Sequence, residues 1–256
     1  MAHAGAWKAL QERDVQVTHI VATSMGAVIG AALAAGSSPE DVLRTAQTLT
    51  TKDFAAIHLT TLLKGMFAAS LFEAGGLKRT IARLVSATRF DELKVPLMVT
   101  ATDLDSGELV FFGSGARHVV PLHEALYASC ALSLYFPPAV IEGRRFADGG
   151  LRAVLPIQAA ALLAVDLVVA VNVGPGFDEV TPAGVKSPAP PLVRAHGDAE
   201  RIMMAAQTER AIAAWPAAAP RLVVVRAVAE REATFAVGQA QRHFDAGYAA
   251  TLEALS

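Results

Sequence analysis

Cysteine is nearly absent from this chain. Cys130 stands alone among 256 residues, which excludes an intramolecular disulfide and any multi-cysteine zinc or iron–sulfur site. Charge is sparse as well: 18% of residues are charged, against about 25% in an average soluble domain. The 22 Lys+Arg and 24 Asp+Glu nearly cancel, leaving a net charge of −2. With no basic excess and no Lys/Arg-rich run, nucleic acid is not an expected partner. Long apolar runs are missing too. Residues 20–36 fall short of the ~20 that a span needs and are interrupted by Thr23 and Ser24. Residues 153–174 carry Pro156, Gln158 and Asp166. Both stretches read as a buried strand with a helix. The start, Met1 followed by Ala2-His3-Ala4-Gly5, has no basic segment ahead of an apolar one, so no signal peptide is read there. The expected location is cytoplasmic, with membrane association.

What the chain does have is apolar bulk. Hydrophobic residues make up 53%, and alanine supplies about one residue in five. Low net charge with this much apolar content excludes disorder for most of the chain, and the length allows a sizeable core. Helical patterns alternate with short apolar runs four or five times. The spacing predicts helices over 4–13, 26–35, 77–85, 122–130, 156–163, 193–214 and 233–255. It predicts strands over 15–22, 95–102, 108–112, 140–146, 167–173 and 222–225. Ser38-Pro39-Glu40-Asp41 reads as a capped helix start. Asp105-Ser106-Gly107 and Glu142-Gly143 read as turns between strands. The expected fold class is α/β, a three-layer α/β/α arrangement with a mostly parallel central sheet. Residues 174–191 hold three glycines and five prolines and read as a loop. The organisation expected is one domain over 1–256, with that loop and a C-terminal helical part over 193–256.

Two motifs carry chemistry. Ala22-Thr23-Ser24-Met25-Gly26 lies between a predicted strand and a predicted helix. A small-x-Ser-x-Gly turn in that setting is a nucleophile elbow: small neighbours let strand and helix pass closely, and the serine projects beside the helix N-terminus. There the Met25 N–H is a natural donor to an oxyanion. The plainer reading is a serine capping the helix that follows. The second motif, Asp148-Gly149-Gly150, follows a predicted strand. It puts an acid at a strand's C-terminal end, with two glycines that let the backbone turn and approach another loop. By itself it also reads as a simple Asp-Gly turn.

Together and in this order, the two motifs resemble those of the patatin-like phospholipases, in particular a bacterial member. The likeness covers most of residues 3–173. It extends to Ala101-Thr102-Asp103-Leu104-Asp105-Ser106-Gly107, Ala128-Ser129-Cys130 and Phe136-Pro137-Pro138. What the resemblance implies is a Ser–Asp catalytic dyad, with Ser24 as nucleophile and Asp148 as general base. Met25, Gly26, Gly149 and Gly150 complete the motifs. The implied reaction is hydrolysis of a lipid or other acyl ester through an acyl-enzyme, with no cofactor and no metal, and with peripheral membrane contact. The resemblance also leads one to expect a first strand and a glycine-rich oxyanion loop ahead of His3, where Met1 and Ala2 stand. The two readings of this are a start assigned at an internal methionine or a natively short, impaired protein. The first leaves an upstream signal peptide open. In either case the chain as written is expected to be a poor enzyme.

Other readings stay open beside this one. A catalytically impaired module that binds lipid or a protein partner fits the same motifs, as does an acyltransferase. A Ser…Asp…His triad would need His196 or His243. Cys130 reads as a small buried hydrophobe. Asp103 and Asp105 read as part of a hairpin turn rather than a metal pair, and Arg144-Arg145 as strand-edge charge. The bulky apolar stretch over 60–72 reads as core or as a lid.

Overall fold

The structure is a computed structural model and describes residues 1–54, 70–115, 120–177, 190–227 and 237–256. Ten α-helices, two 3-10 helices (Phe90–Glu92 and Val237–Gln239) and seven strands are described in these segments. In chain order they are α1 (Ala2–Glu12), β1 (Ile20–Ala22), α2 (Met25–Ala34), α3 (Pro39–Gln47), α4 (Thr51–Phe54) and α5 (Ala74–Leu84). Next come β2 (Leu97–Asp103), β3 (Leu109–Gly113), α6 (Leu122–Cys130), β4 (Ala139–Ile141) and β5 (Arg144–Asp148). The chain continues with α7 (Gly150–Ala153), α8 (Ile157–Ala160), β6 (Leu167–Asn172), α9 (Pro191–Ala213), β7 (Arg221–Arg226) and α10 (Ala240–Ala254). Most of the loop expected over 174–191 and of the apolar stretch over 60–72 lies outside the described residues. At the end of that stretch Phe72 packs on the core against Tyr135 and Phe136.

The α/β class is as expected, a central sheet flanked by helices. The balance of strand directions is not. β1 runs parallel to β2 and β6 parallel to β7, but β3 and β5 run antiparallel to β2, and β4 antiparallel to β5. Turns as short as those between β2 and β3 and between β4 and β5 can only reverse the chain. In the first, Asp103 Oδ1 accepts the Asp105 and Ser106 N–H groups. Arg144 and Arg145 are not loose edge charges but pair with Asp103 and Asp105. β6 and β7 form a sheet of their own. β7 lies where a strand was expected within the C-terminal part, between α9 and α10.

The layout of β2 positions the site. β3 occupies one edge along Met98–Thr102. The other edge is divided: β1 pairs with Leu97–Val99 and β5 with Ala101–Asp103, coming from the opposite direction. The C-terminal tips of β1 and β5 thus meet head-on beside Thr100. Every residue of α2 from Ala27 to Ala34 is buried, as suits a helix that is apolar all round. Gly30 brings it close to β1, since a Cβ there would stand 3.2 Å from Ile20 Cγ2. α3 starts as read: the Ser38 hydroxyl accepts the Asp41 N–H, with Pro39 in the first turn. α10 closes over α1 at two glycines, where a Cβ on Gly5 or Gly247 would collide with the other helix's backbone. No described helix is long and apolar enough to cross a membrane.

Candidate active site

Ser24 sits at the turn from β1 into α2 with φ 54° and ψ −134°. This is backbone strain that a non-glycine residue carries only where the surroundings impose it. They do so from three directions. The Ser24 N–H donates to Ser129 Oγ at 2.8 Å. The Thr23 hydroxyl donates to the Ala153 carbonyl at 2.7 Å and lies 2.7 Å from Thr100 Oγ1. The Gly26 N–H bonds the Thr23 carbonyl at 3.0 Å, and the Ala27 N–H bonds the Ser24 carbonyl at 2.8 Å. Among the described residues, this leaves the Met25 N–H as the donor at the start of α2 with no internal acceptor given to it. It points from the positive end of the helix, where an oxyanion is favoured.

From the tip of β5, Asp148 reaches the same point. Ser24 Oγ donates to Asp148 Oδ2 at 2.6 Å, the length of a hydroxyl–carboxylate bond. The other oxygen, Oδ1, accepts the Gly150 N–H at 2.8 Å. The Asp148 backbone is pinned too: its carbonyl accepts the Thr102 hydroxyl at 2.9 Å and its N–H donates to Ala131 O at 3.0 Å. Gly149 is required by close approach, because a Cβ there would stand 2.2 Å from Thr100 Oγ1. Gly150 is less confined, since a Cβ there would stand 3.1 Å from Asp148 Oδ1 and 3.2 Å from the end of Met204. Asp148 is buried, and burial pushes its carboxyl up to about 6; the bonds from Ser24 and Gly150 oppose the rise, and the Glu200 charge adds to it. A carboxylate poised there is a usable base at neutral pH.

The pair opens on an apolar cavity of about 390 Å3. On one side it is walled by Ile29, Leu49, Leu77, Leu84 and Phe136, and on the other it runs past Asn172 and Gly174 at the end of β6. The shape suits an ester with a greasy acyl group. A model of the patatin-like phospholipase family matches residues 1–161. The chain belongs to this family. An uncharacterised NTE family protein of Mycobacterium tuberculosis is 33% identical over 171 residues, 67% of this chain and 45% of that protein. The human patatin-like phospholipase domain-containing protein 6 is 28% identical over 179 residues, 68% of this chain and 12% of that protein. The chain thus spans under half the length of these curated relatives. The crystal structure of VipD from Legionella pneumophila superposes with a TM-score of 0.52 at 14% identity, covering 99% of this chain and 64% of that one. This last likeness speaks for the fold alone.

In this patatin-like phospholipase chain Ser24, Met25, Gly26, Asp148, Gly149 and Gly150 are all gathered at one point. No histidine stands between Ser24 and Asp148. His196 lies on α9, 3.9 Å from Glu200. His243 and His3 line the cavity. Burial pushes His3 down to about 4, and its ring faces Gly26. Cys130 is buried against Ser24, and burial holds its thiol well above the usual range. Several contributors carry no assigned role in the sequence: Thr23, Thr102 and Ser129 stand inside the quoted stretches, while Thr100 and His3 stand outside them. The usable signal for the threonines was polarity inside an apolar strand. A fully buried hydroxyl needs a partner, and Thr100 and Thr102 find theirs at the site.

Proposed function

We propose that this chain is a serine-dependent acyl ester hydrolase acting on a lipid, of the phospholipase or lysophospholipase type. The observation that carries the reading is the Ser24–Asp148 hydrogen bond of 2.6 Å at a strained elbow beside an apolar cavity. Ser24 Oγ attacks the ester carbonyl carbon and its proton passes to Asp148 Oδ2. The Met25 N–H receives the developing oxyanion. The protonated Asp148 then gives its proton to the departing alkoxide, leaving an acyl-Ser24 ester. Water attacks that ester with Asp148 again taking the proton, which releases the fatty acid and restores the serine. Family membership supports the lipid as substrate. Exposed Met25, Phe177, Ile202 and Met203 support peripheral contact with a lipid surface.

A non-catalytic binding module is the second reading. It is favoured by one observation: among the described residues only the Met25 N–H is left as a donor at the elbow. Labelling by a fluorophosphonate and turnover of p-nitrophenyl esters separate the two. The hydrolase reading expects both in the wild-type chain and neither in Ser24→Ala, with a loss on the order of 10⁴ or more. Labelling that persists in Ser24→Ala overturns the assignment of the nucleophile. No labelling of the correctly folded wild-type chain favours the binding module.

A further inference from the structure

Asn172, at the end of β6, repeats the turn that Asp148 makes at the end of β5. Its Oδ1 accepts the N–H of the glycine two residues on, Gly174, at 2.9 Å, as Asp148 Oδ1 accepts the Gly150 N–H at 2.8 Å. Both residues line the Ser24 cavity. The Gly174 carbonyl accepts the Arg226 guanidinium at 3.2 Å, so the turn is held from both sides. In Asp148 the turn leaves Oδ2 to Ser24. In Asn172 it leaves Nδ2, because the Gly174 N–H fixes which end of the amide is oxygen. Asn172 is 4% exposed. Among the described residues Nδ2 has no acceptor, and it is not closed to solvent, which leaves it open to the cavity that the residue lines. Val154 joins the two turns: a Cβ on Gly174 would stand 2.4 Å from its Cγ1, and one on Gly150 3.8 Å from its Cγ2.

The cavity has two unlike ends. Ile29, Leu49, Leu77, Leu84 and Phe136 close one of them and are buried. At the other, Val154, Val171, Val173, Gly174 and Met204 are half-buried around Asn172. An acyl chain belongs in the closed end, which leaves the alcohol part of the ester to the end at β6. There Asn172 is the polar side chain among apolar ones, and no charge lines that end. Closing the Gly174 turn needs only an oxygen, and aspartate or serine serves as well. What asparagine adds is a pair of uncharged donor hydrogens. Their match is an uncharged acceptor; a bare hydrocarbon placed there shuts them from water and leaves them unmet. We propose that Asn172 is a specificity-determining residue: Nδ2 donates to a hydroxyl or ether oxygen on the alcohol part of the ester, selecting such alcohols over plain alkanols. This rests on the hydrolase reading and adds the alcohol side to it.

The test is the ratio of kcat/KM for two dissolved esters, 2-methoxyethyl octanoate over butyl octanoate. Their alcohols differ by one ether oxygen in place of a methylene, and an ether oxygen only accepts. Asn172→Asp keeps the oxygen that closes the turn and removes the donor. The ratio is expected to fall about threefold to tenfold. Asn172→Leu, of nearly the same volume, lowers it as well. Losses common to both esters cancel in the ratio. Mere polarity at this end would instead raise the ratio in Asn172→Asp, so a ratio raised or unchanged there overturns the proposal, as does one unchanged in Asn172→Leu. Fluorophosphonate labelling separates this failure from failure of the reading beneath. A wild type that labels at Ser24, with a ratio the variants do not lower, fails the proposal alone. A folded wild type that neither labels nor hydrolyses either ester fails both.

Discussion

The five-stranded sheet and the two-stranded sheet are built differently. In the first, β2 is buried along nearly its whole length between helices on both faces. Phe112 and Phe146 meet edge-on within it, 5.5 Å apart. In the second, β6 and β7 are half-covered, and their cluster is small: Leu155, Ile157 and Ala170, with partly buried neighbours such as Ile212 and Leu222. The strained Ser24 and the tight Gly149 both follow the ends of strands of the first sheet. Strain persists only where dense packing over-determines the backbone. The second sheet adds a wall of the cavity and carries no part of the Ser24–Asp148 pair.

The largest expected effect falls on the pair itself. Asp148→Asn lowers kcat by on the order of 10⁴, yet raises stability at neutral pH. The Asp148 carboxyl stands at about 6 in the folded chain, above its unfolded value of about 3.9. Folding therefore favours the protonated form. That contribution is complete below about pH 4 and is lost as pH rises through 6, a swing on the order of 2–3 kcal/mol. The variant escapes the swing, so its Tm exceeds that of the wild type at pH 8 and the gap closes toward pH 4. A lower Tm at pH 8 would contradict this. The same group makes kcat/KM of the wild-type chain rise through about pH 6 to a plateau, with single-proton dependence.

Next in size is the contrast between the sheets. Phe112→Ala, in the first, costs about 3–5 kcal/mol. Leu167→Ala, half-buried in the second, costs about 1–2 kcal/mol, below the range for a fully buried leucine. Denaturant unfolding measures both, and equal costs would erase the distinction. Gly149→Ala adds a methyl where Thr100 leaves no room, an overpacking cost of about 1–3 kcal/mol. It also displaces Asp148, so activity falls further than stability. Smallest is Leu162→Ser, at a side chain 88% exposed, with an effect within about 0.5 kcal/mol. A large loss there would mean that the surface around α8 is covered.

Local chemistry was legible because it needs only neighbours in the chain. The Ser38 cap, the turn at Asp105-Ser106-Gly107 and the small residues around Ser24 state their conformations within a few positions. The motifs at Ser24 and Asp148 likewise announced a turn and an acid at a strand end. Strand direction was less legible. An apolar run has the same composition whichever way it crosses the sheet, so the antiparallel entry of β5 was hidden in residues 140–148. The stretch over 60–72 has an apolar pattern that fits more than one face, and periodicity does not choose between them.

What the sequence determined by itself was the set of side chains: a serine forced into a tight strand–helix turn, an acid followed by two glycines, and enough apolar mass to bury both. What only the tertiary structure decided was their meeting. β1 and β5 share one edge of β2 and stop on either side of Thr100, which brings residues 124 apart in the chain to a 2.6 Å hydrogen bond. The Ser129 hydroxyl on the Ser24 N–H, the Thr23–Thr100 contact and the rise of the Asp148 carboxyl follow from that meeting. Distance and burial arise from packing between segments, and neither is written in any one of them.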